Sequence, residues 1–236
     1  MKLFYPVGMT LSLLTLAASS LASNNNQQPA QQAFEVRSHQ VANTQQAAIS
    51  LQKRLAIIKS FSANFTQSTQ DSLGNILQSV TGFMQVAKPG KLRWQTEGIY
   101  EQLVISDGES VWIYDADLEQ VSIKNMANRL SETPALLLGG DTSAIDNDFI
   151  ISQIASDNGL LYILQPKDTS QLFDSLELNF NTLDQDQPLT EMVIRDASGQ
   201  ITYISFDNVR NNPVLDAALF TFAIPAGIDV IDGRHK

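Results

Sequence analysis

The residue types that usually do chemistry are sparse here, and their spacing suits none of the common mechanisms. Two histidines are present, His39 in a polar stretch near the N-terminus and His235 next to the C-terminus. A Ser-His-Asp arrangement needs an imidazole held in place by packed structure, and neither position offers one. The chain has no cysteine, so a zinc site built from Cys and His has almost no material to use. No phosphate-loop or dinucleotide glycine pattern occurs. Carboxylates gather at Asp115, Asp117 and Glu119, at Asp141, Asp146 and Asp148, and at Asp184 and Asp186. Their spacing is similar to that of calcium loops, but the central Gly and the terminal Glu of an EF-hand are missing at the required offsets. Turn-forming aspartates on a solvated surface are the plainer reading. A hydrolase with two opposed acids is not selected by any pair. The expectation is therefore no enzyme, no cofactor and no metal.

Charge and targeting narrow the class further. The chain has 236 residues and a formal net charge of −10. Lys2, an apolar run from Leu3 to Ala18 and the small-x-small pattern Ser20-Leu21-Ala22 read as a secretory signal, cut after Ala22. The run is short and broken by Pro6 and Gly8, unlike a membrane span. Without residues 1–22 the chain keeps 14 basic and 25 acidic groups. That balance argues against nucleic acid and against anionic lipid surfaces, both of which select basic proteins. An exported chain without cysteine has neither a disulfide nor a lipidated anchor, so an ordinary apolar core must hold it.

The elements that would position any site lie mostly in strands. From Lys88 to Val121, Pro89-Gly90 and Asp107-Gly108 mark turns between short apolar runs. In Leu103-Val104-Ile105 and in Val111-Trp112-Ile113-Tyr114 neighbouring residues are both apolar. A sheet with one wet face would alternate, so both faces of this one need cover. Residues 23–46, rich in Asn and Gln, read as a flexible lead-in to a domain spanning 47–236. Ala47 to Lys59 is helical in pattern, with Ile49, Leu51, Leu55 and Ile58 near helical spacing. Strands are expected around Phe61–Thr66, Ile76–Ala87, Gln120–Lys124, Leu160–Gln165, Ser175–Asn181, Glu191–Arg195 and Ile201–Phe206. A further strand is expected at Phe220 to Ile224, with a tail at Gly227 to Ile231. Asn125 to Gly140 reads as two short helices broken at Thr133-Pro134, and a helical piece is expected around Phe149 to Ile154. Regular short strands interrupted by helices imply an antiparallel sheet curled around apolar space, with helices across its mouth.

Five segments, in order behind the signal, carry a family resemblance. They are LQKRLAIIKSFSANFTQ (Leu51–Gln67), Gly82 followed by KPGKLRW up to Trp94, QLVISDGESVWIYDADLEQV (Gln102–Val121), TPALLL (Thr133–Leu138) and FTFAIPAGIDVID (Phe220–Asp232). Together they resemble the LolA family of periplasmic lipoprotein carriers across about Leu51 to Ile231. The resemblance implies a mainly β fold with some α: an open, strongly curved antiparallel sheet, an incomplete barrel, covered by a lid of short helices over an apolar cavity for acyl chains. It implies that Leu55, Leu92, Trp94, Leu136, Leu137 and Leu138 line that cavity, with Phe83, Leu103, Ile105, Val111 and Ile113 as weaker candidates.

The implied partners are lipoproteins, an inner-membrane ATP-driven transporter and an outer-membrane receptor of similar fold. No nucleic acid is expected, and the chain is expected to act as a monomer in the periplasm. That receptor is itself lipid-anchored through a Cys, which this chain lacks. Well-known members carry an Arg just before the turn proline, holding backbone carbonyls of the lid. Lys88 stands there instead, a compact ammonium in place of a planar fork, and is expected to latch the lid near Leu138 to Gly140 more weakly, with Arg93 as a possible substitute. The competing reading is a periplasmic lipid- or lipoprotein-sensing regulatory domain on the same fold.

Overall fold

The computed structural model describes residues 43–98, 101–126, 135–143, 145–157, 159–168, 172–184, 186 and 188–234. The expected signal peptide, His39, most of the lead-in, the helix expected just after Asn125, the break at Thr133-Pro134 and His235 lie outside them. No helix among the described residues is long and apolar enough to cross a membrane.

The helix α1 (Thr44–Ile57) starts three residues earlier than its apolar stripe suggests, because Asn43 caps it. The Asn43 side chain accepts the Gln45 amide at 3.0 Å, so Thr44 to Gln46 leave the lead-in and join the helix. Ala47, Ala48, Leu51 and Leu55 form its buried face. The helix stops where Ile57 and Ile58 bring two β-branched residues together, and the Ile58 amide turns back to the Leu55 carbonyl.

The strands are β1 (Ser60–Gln70), β2 (Ile76–Ala87), β3 (Lys91–Glu97), β4 (Gln102–Asp107), β5 (Ser110–Asp115) and β6 (Gln120–Asn125), then β7 (Phe149–Ala155), β8 (Gly159–Pro166), β9 (Ser175–Asn181), β10 (Leu189–Arg195), β11 (Ile201–Asn211) and β12 (Asp229–Asp232). They form one sheet in the order β12-β6-β5-β4-β3-β2-β1-β11-β10-β9-β8-β7. All pairings are antiparallel except β12 with β6, and β7 and β12 remain as open edges. The turns follow the side chains expected to make them. Asp71 accepts the amides of Leu73 and Asn75, and Asp107 accepts those of Glu109 and Ser110, tightening both hairpins.

Between β6 and β7 the described residues include two one-turn helices, α2 (Leu136–Gly139) and α3 (Ile145–Asp148). The helix expected around Phe149 to Ile154 is instead strand β7. Its β-branched residues pair with β8, and Phe149 and Ile151 face the core while Ile150 is exposed. The strand expected at Phe220 to Ile224 is also absent. Ala217–Phe220 is a 3-10 turn capped by Asp216, and the chain rejoins the sheet only at β12.

Both faces of the central strands are covered, each by a different part of the chain. The concave face carries Phe61, Phe65, Met84, Val86, Leu92, Trp94, Val104 and Val111, which pack with α1 and α2 in one apolar cluster. On the opposite face, Ile105 pairs across to Trp112 and Trp112 to Ile123. The segment around Phe220 covers that side: Phe220 is buried, and the Phe222 ring lies 5.8 Å from that of Tyr114. The adjacent apolar residues of β4 and β5 thus each have a layer to pack against.

Candidate functional site

Six residues expected to line a cavity come together. Leu55 on α1, Leu92 and Trp94 on β3, and Leu136, Leu137 and Leu138 on α2 all belong to the same concave cluster. The leucines are at most 2 % exposed and Trp94 is 8 % exposed. Near the helices the cluster is filled: the three α2 leucines sit over β2 and β3, while α1, with Leu51 and Leu55, packs on β7.

Space opens beyond Trp94. Trp94, Val104, Ile113, Met192, Ile194 and Ile204 line a hollow of about 360 Å³, rimmed by Gln67, Gln102 and Thr202 and bounded on one side by Ala135, next to α2. A second space of about 400 Å³ adjoins it at Trp94, Gln67 and Gln102 and leads outward past Thr96, Glu101, Asp115 and Asp117. The first space is therefore walled mainly by apolar side chains, the second is polar and acidic, and the two share Gln67, Trp94 and Gln102. Sites of this size and lining take small apolar ligands, typically ~300–1,000 Å³.

The walls owe their shape to one small residue. Phe65 stacks on Trp94 with ring centroids 4.0 Å apart, and Phe65 lies directly across from Gly82 on β2. A Cβ at Gly82 would stand 2.6 Å from the Phe65 ring and 2.0 Å from the Gln95 carbonyl oxygen. The glycine leaves the room that the aromatic pair occupies.

Of the weaker candidates, Val111 and Ile113 share the concave face with Val104. Phe83, Leu103 and Ile105 do not. By register they lie on the opposite face, where Phe83 receives the Arg93 guanidinium 5.9 Å from its ring centre. The far wall of the hollow, Met192, Ile194 and Ile204, was not singled out from sequence. Its signal was the alternation within EMVIR and ITYISF, which marks an inward face but not what lies opposite.

Lys88 reaches a lid helix, though not the one expected. Its ammonium donates to the Leu55 carbonyl at 2.7 Å, at the C-terminal end of α1, where a cation also meets the negative end of the helix dipole. Burial pulls the Lys88 pKa down, and the nearby Asp141 carboxylate partly opposes that. In the stretch from Leu138 to Gly140 the Gly139 carbonyl is met by backbone instead: the Gly90 amide donates to it at 2.7 Å. A Cβ at Gly139 would lie 3.1 Å from both the Lys91 carbonyl oxygen and Val86, so α2 rests tightly on the β2–β3 turn. Arg93 is no substitute latch. It faces the other side, with its guanidinium on Gln95 at 2.9 Å and the Leu219 carbonyl at 3.5 Å.

The acidic clusters serve turns. Asp115 accepts the Leu118 amide, Asp141 that of Ser143, and Asp184 that of Asp186. Among the described residues no three His, Asp or Glu side chains converge as a metal site. What the arrangement can do chemically is hold an apolar chain away from water.

Residues 56–223 match the family described as "Outer membrane lipoprotein carrier protein LolA". The chain is 43% identical over 173 residues to an outer-membrane lipoprotein carrier protein of Pseudomonas paraeruginosa, covering 73% of this chain and 81% of that one. It is 40% identical over 177 residues to the protein of the same description in Chromohalobacter salexigens, covering 75% and 82%. Among solved structures, a LolA superfamily protein from Nitrosomonas europaea aligns with a TM-score of 0.44 and 14% identity, over 75% of this chain and 98% of that one.

Proposed function

Because this chain belongs to the LolA family of outer membrane lipoprotein carrier proteins, we propose that it carries lipoproteins through the periplasm with their acyl chains shielded inside the curled sheet. The observation that carries the reading is the hollow at Trp94, walled mainly by apolar side chains, adjoining a polar, acidic space and bounded on one side by Ala135 at the start of α2. Each CH₂ withdrawn from water contributes about 0.8 kcal/mol, so several long chains left exposed would cost tens of kcal/mol. Relative to a membrane the same burial gains little, which lets a carrier accept and release cargo without covalent chemistry.

Cargo enters from an inner-membrane ATP-driven transporter and leaves to an outer-membrane receptor. Leu55, Leu92, Trp94 and Leu136 to Leu138 contact the chains once α2 lifts. Lys88 holds the lid through α1. Export removes residues 1–22, which mass spectrometry of the periplasmic protein checks directly.

The deciding experiment mixes the purified protein with inner membranes that hold the transporter, with and without ATP. Soluble one-to-one complexes with lipoproteins are expected only with ATP. Replacing Leu138 by Asp is expected to reduce them at least tenfold while the β signature in circular dichroism persists. Lipoproteins that stay in the membrane fraction under all conditions would refute the carrier role.

A further inference from the structure

The helix α1 has a second, polar stripe that the acyl hollow does not use. Ser50, Lys53, Arg54 and Ile57 fall at helical spacing and line a cleft of about 510 Å³. Facing them are Asp186, from the connection between β9 and β10, and Asn211 and Asn212 at the end of β11. None of these residues borders the hollow at Trp94.

Two of the polar groups are already occupied. The Ser50 hydroxyl lies 2.7 Å from that of Tyr162. Asn212 accepts the Lys59 amide at 2.7 Å and donates to the Ile57 carbonyl at 3.2 Å, tying down the end of α1. The others are unspent. The Arg54 guanidinium lies 4.9 Å over the Phe180 ring, and its Nε is buried with no hydrogen-bond partner. No described carboxylate pairs with Arg54 or Lys53. Asn211 donates to the Asp186 carbonyl at 2.9 Å, but its own side-chain oxygen is buried and unpaired. No described donor reaches the Asp186 carboxylate; only the backbone of that residue is engaged, its amide donating to Asp184 and its carbonyl accepting from Asn211.

One cleft therefore sets two cations that no described carboxylate pairs, the exposed Lys53 and the half-buried Arg54, against the exposed Asp186 carboxylate on its loop wall. A bare anion would answer Arg54 and Lys53 but meet Asp186 with repulsion. A ligand that carries both charges makes a charge-assisted hydrogen bond to each wall, whereas an anion or a cation alone meets one wall and is repelled by the other. We propose that this cleft binds a zwitterionic phosphate–ammonium group of the phosphoethanolamine type, its phosphate oxygens on Arg54 and Lys53 and its ammonium on the Asp186 carboxylate. Guanidinium suits the first role through its paired donors. The inference rests on this cleft and not on lipoprotein carriage.

The test is calorimetric titration of the purified chain with four probes: inorganic phosphate, ethanolamine, O-phosphoethanolamine and micelle-free dihexanoyl phosphatidylethanolamine. O-phosphoethanolamine is expected to bind about tenfold more tightly than phosphate or ethanolamine, the ratio that one good charge-assisted contact supplies. Tighter binding of the lipid than of O-phosphoethanolamine identifies a lipid head group as the source, and equal binding identifies the free solute. Arg54→Gln is expected to weaken both by at least about tenfold, with Arg54→Lys intermediate and each variant's circular dichroism unchanged. Asp186→Asn is expected to erase the preference over phosphate. The idea is overturned if phosphate binds as well as the zwitterion, if neither zwitterionic probe binds, or if Arg54→Gln binds like the parent. ATP-dependent lipoprotein release is read in parallel, and its persistence in Arg54→Gln separates this site from the carrier role.

Discussion

At the scale of single residues, two half-buried charges make opposite demands on the fold. Lys88 holds the end of α1 through the Leu55 carbonyl, and removing its ammonium in Lys88→Met should cost about 1.5 kcal/mol, the lower end for a charged hydrogen bond. Its pH dependence has a definite sign. Burial lowers the native pKa below the ordinary 10.5, so between the two values the unfolded chain binds more protons and the Lys88 contribution grows with pH. The stability gap between parent and Lys88→Met, measured by urea denaturation, should therefore widen as pH rises towards 10.5. Glu191 behaves the other way. Burial, with the Glu177 charge adding to it, raises its pKa above 4.5. The native state keeps the proton longer, and the stability this provides in acid is lost as pH rises through the native value. Glu191→Gln should gain on the parent in passing from acid to neutral pH, and a gap that stays constant would exclude this account.

At the scale of elements, the hairpin β1–β2 shows how a small residue shapes the site. Gly82 sits opposite Phe65, and the space above it is taken by the Phe65–Trp94 stack. Gly82→Ala cannot keep both the strand pairing and the stack, because its Cβ would meet the Gln95 carbonyl oxygen at 2.0 Å. Overpacking of this kind costs about 1–3 kcal/mol, here at the upper end because backbone is what must move. Thermal unfolding should show the loss, and Trp94 emission should shift to the red as the ring loses its neighbour. The sequence displayed Gly82 only as one letter of a family segment; its reason is a contact between strands, which no spacing along one strand reveals. The strands themselves were legible because alternation and Asp-Gly turns are local signals. The identity of β7 was not, since Phe149 to Ile154 is short and apolar enough for either element, and pairing with β8 decided it. The 3-10 turn at Ala217–Phe220 was hidden for a similar reason: Phe220, Phe222 and Ile224 alternate, but no described strand pairs with them.

At the scale of the whole molecule, the sheet is filled at one end and hollow at the other, and that asymmetry bears on how a chain enters. The sequence indicated a greasy interior and a helical cover, and it brought Leu55, Leu92, Trp94 and the α2 leucines into one cluster. It did not indicate how much of that interior the leucines themselves fill. The free space of about 360 Å³ begins past Trp94, at the small end of ligand cavities. On the proposed reading a short chain is expected to fit without disturbing α2, whereas longer or multiple chains are expected to displace α2 from β2 and β3. The Gly90 amide reports that displacement, because its partner is the Gly139 carbonyl on α2 at 2.7 Å. Hydrogen exchange followed by NMR should show the Gly90 amide protected in the free protein and equally protected with a short-chain detergent bound. Protection should fall by about tenfold or more when a diacylated or triacylated lipopeptide is bound, as α2 moves to an undocked population. Trp94 fluorescence should respond to both ligands, since both occupy the hollow. If the lipopeptide binds with Gly90 protection intact, the chains do not lie beneath α2, and Leu136 to Leu138 serve only to plug the core.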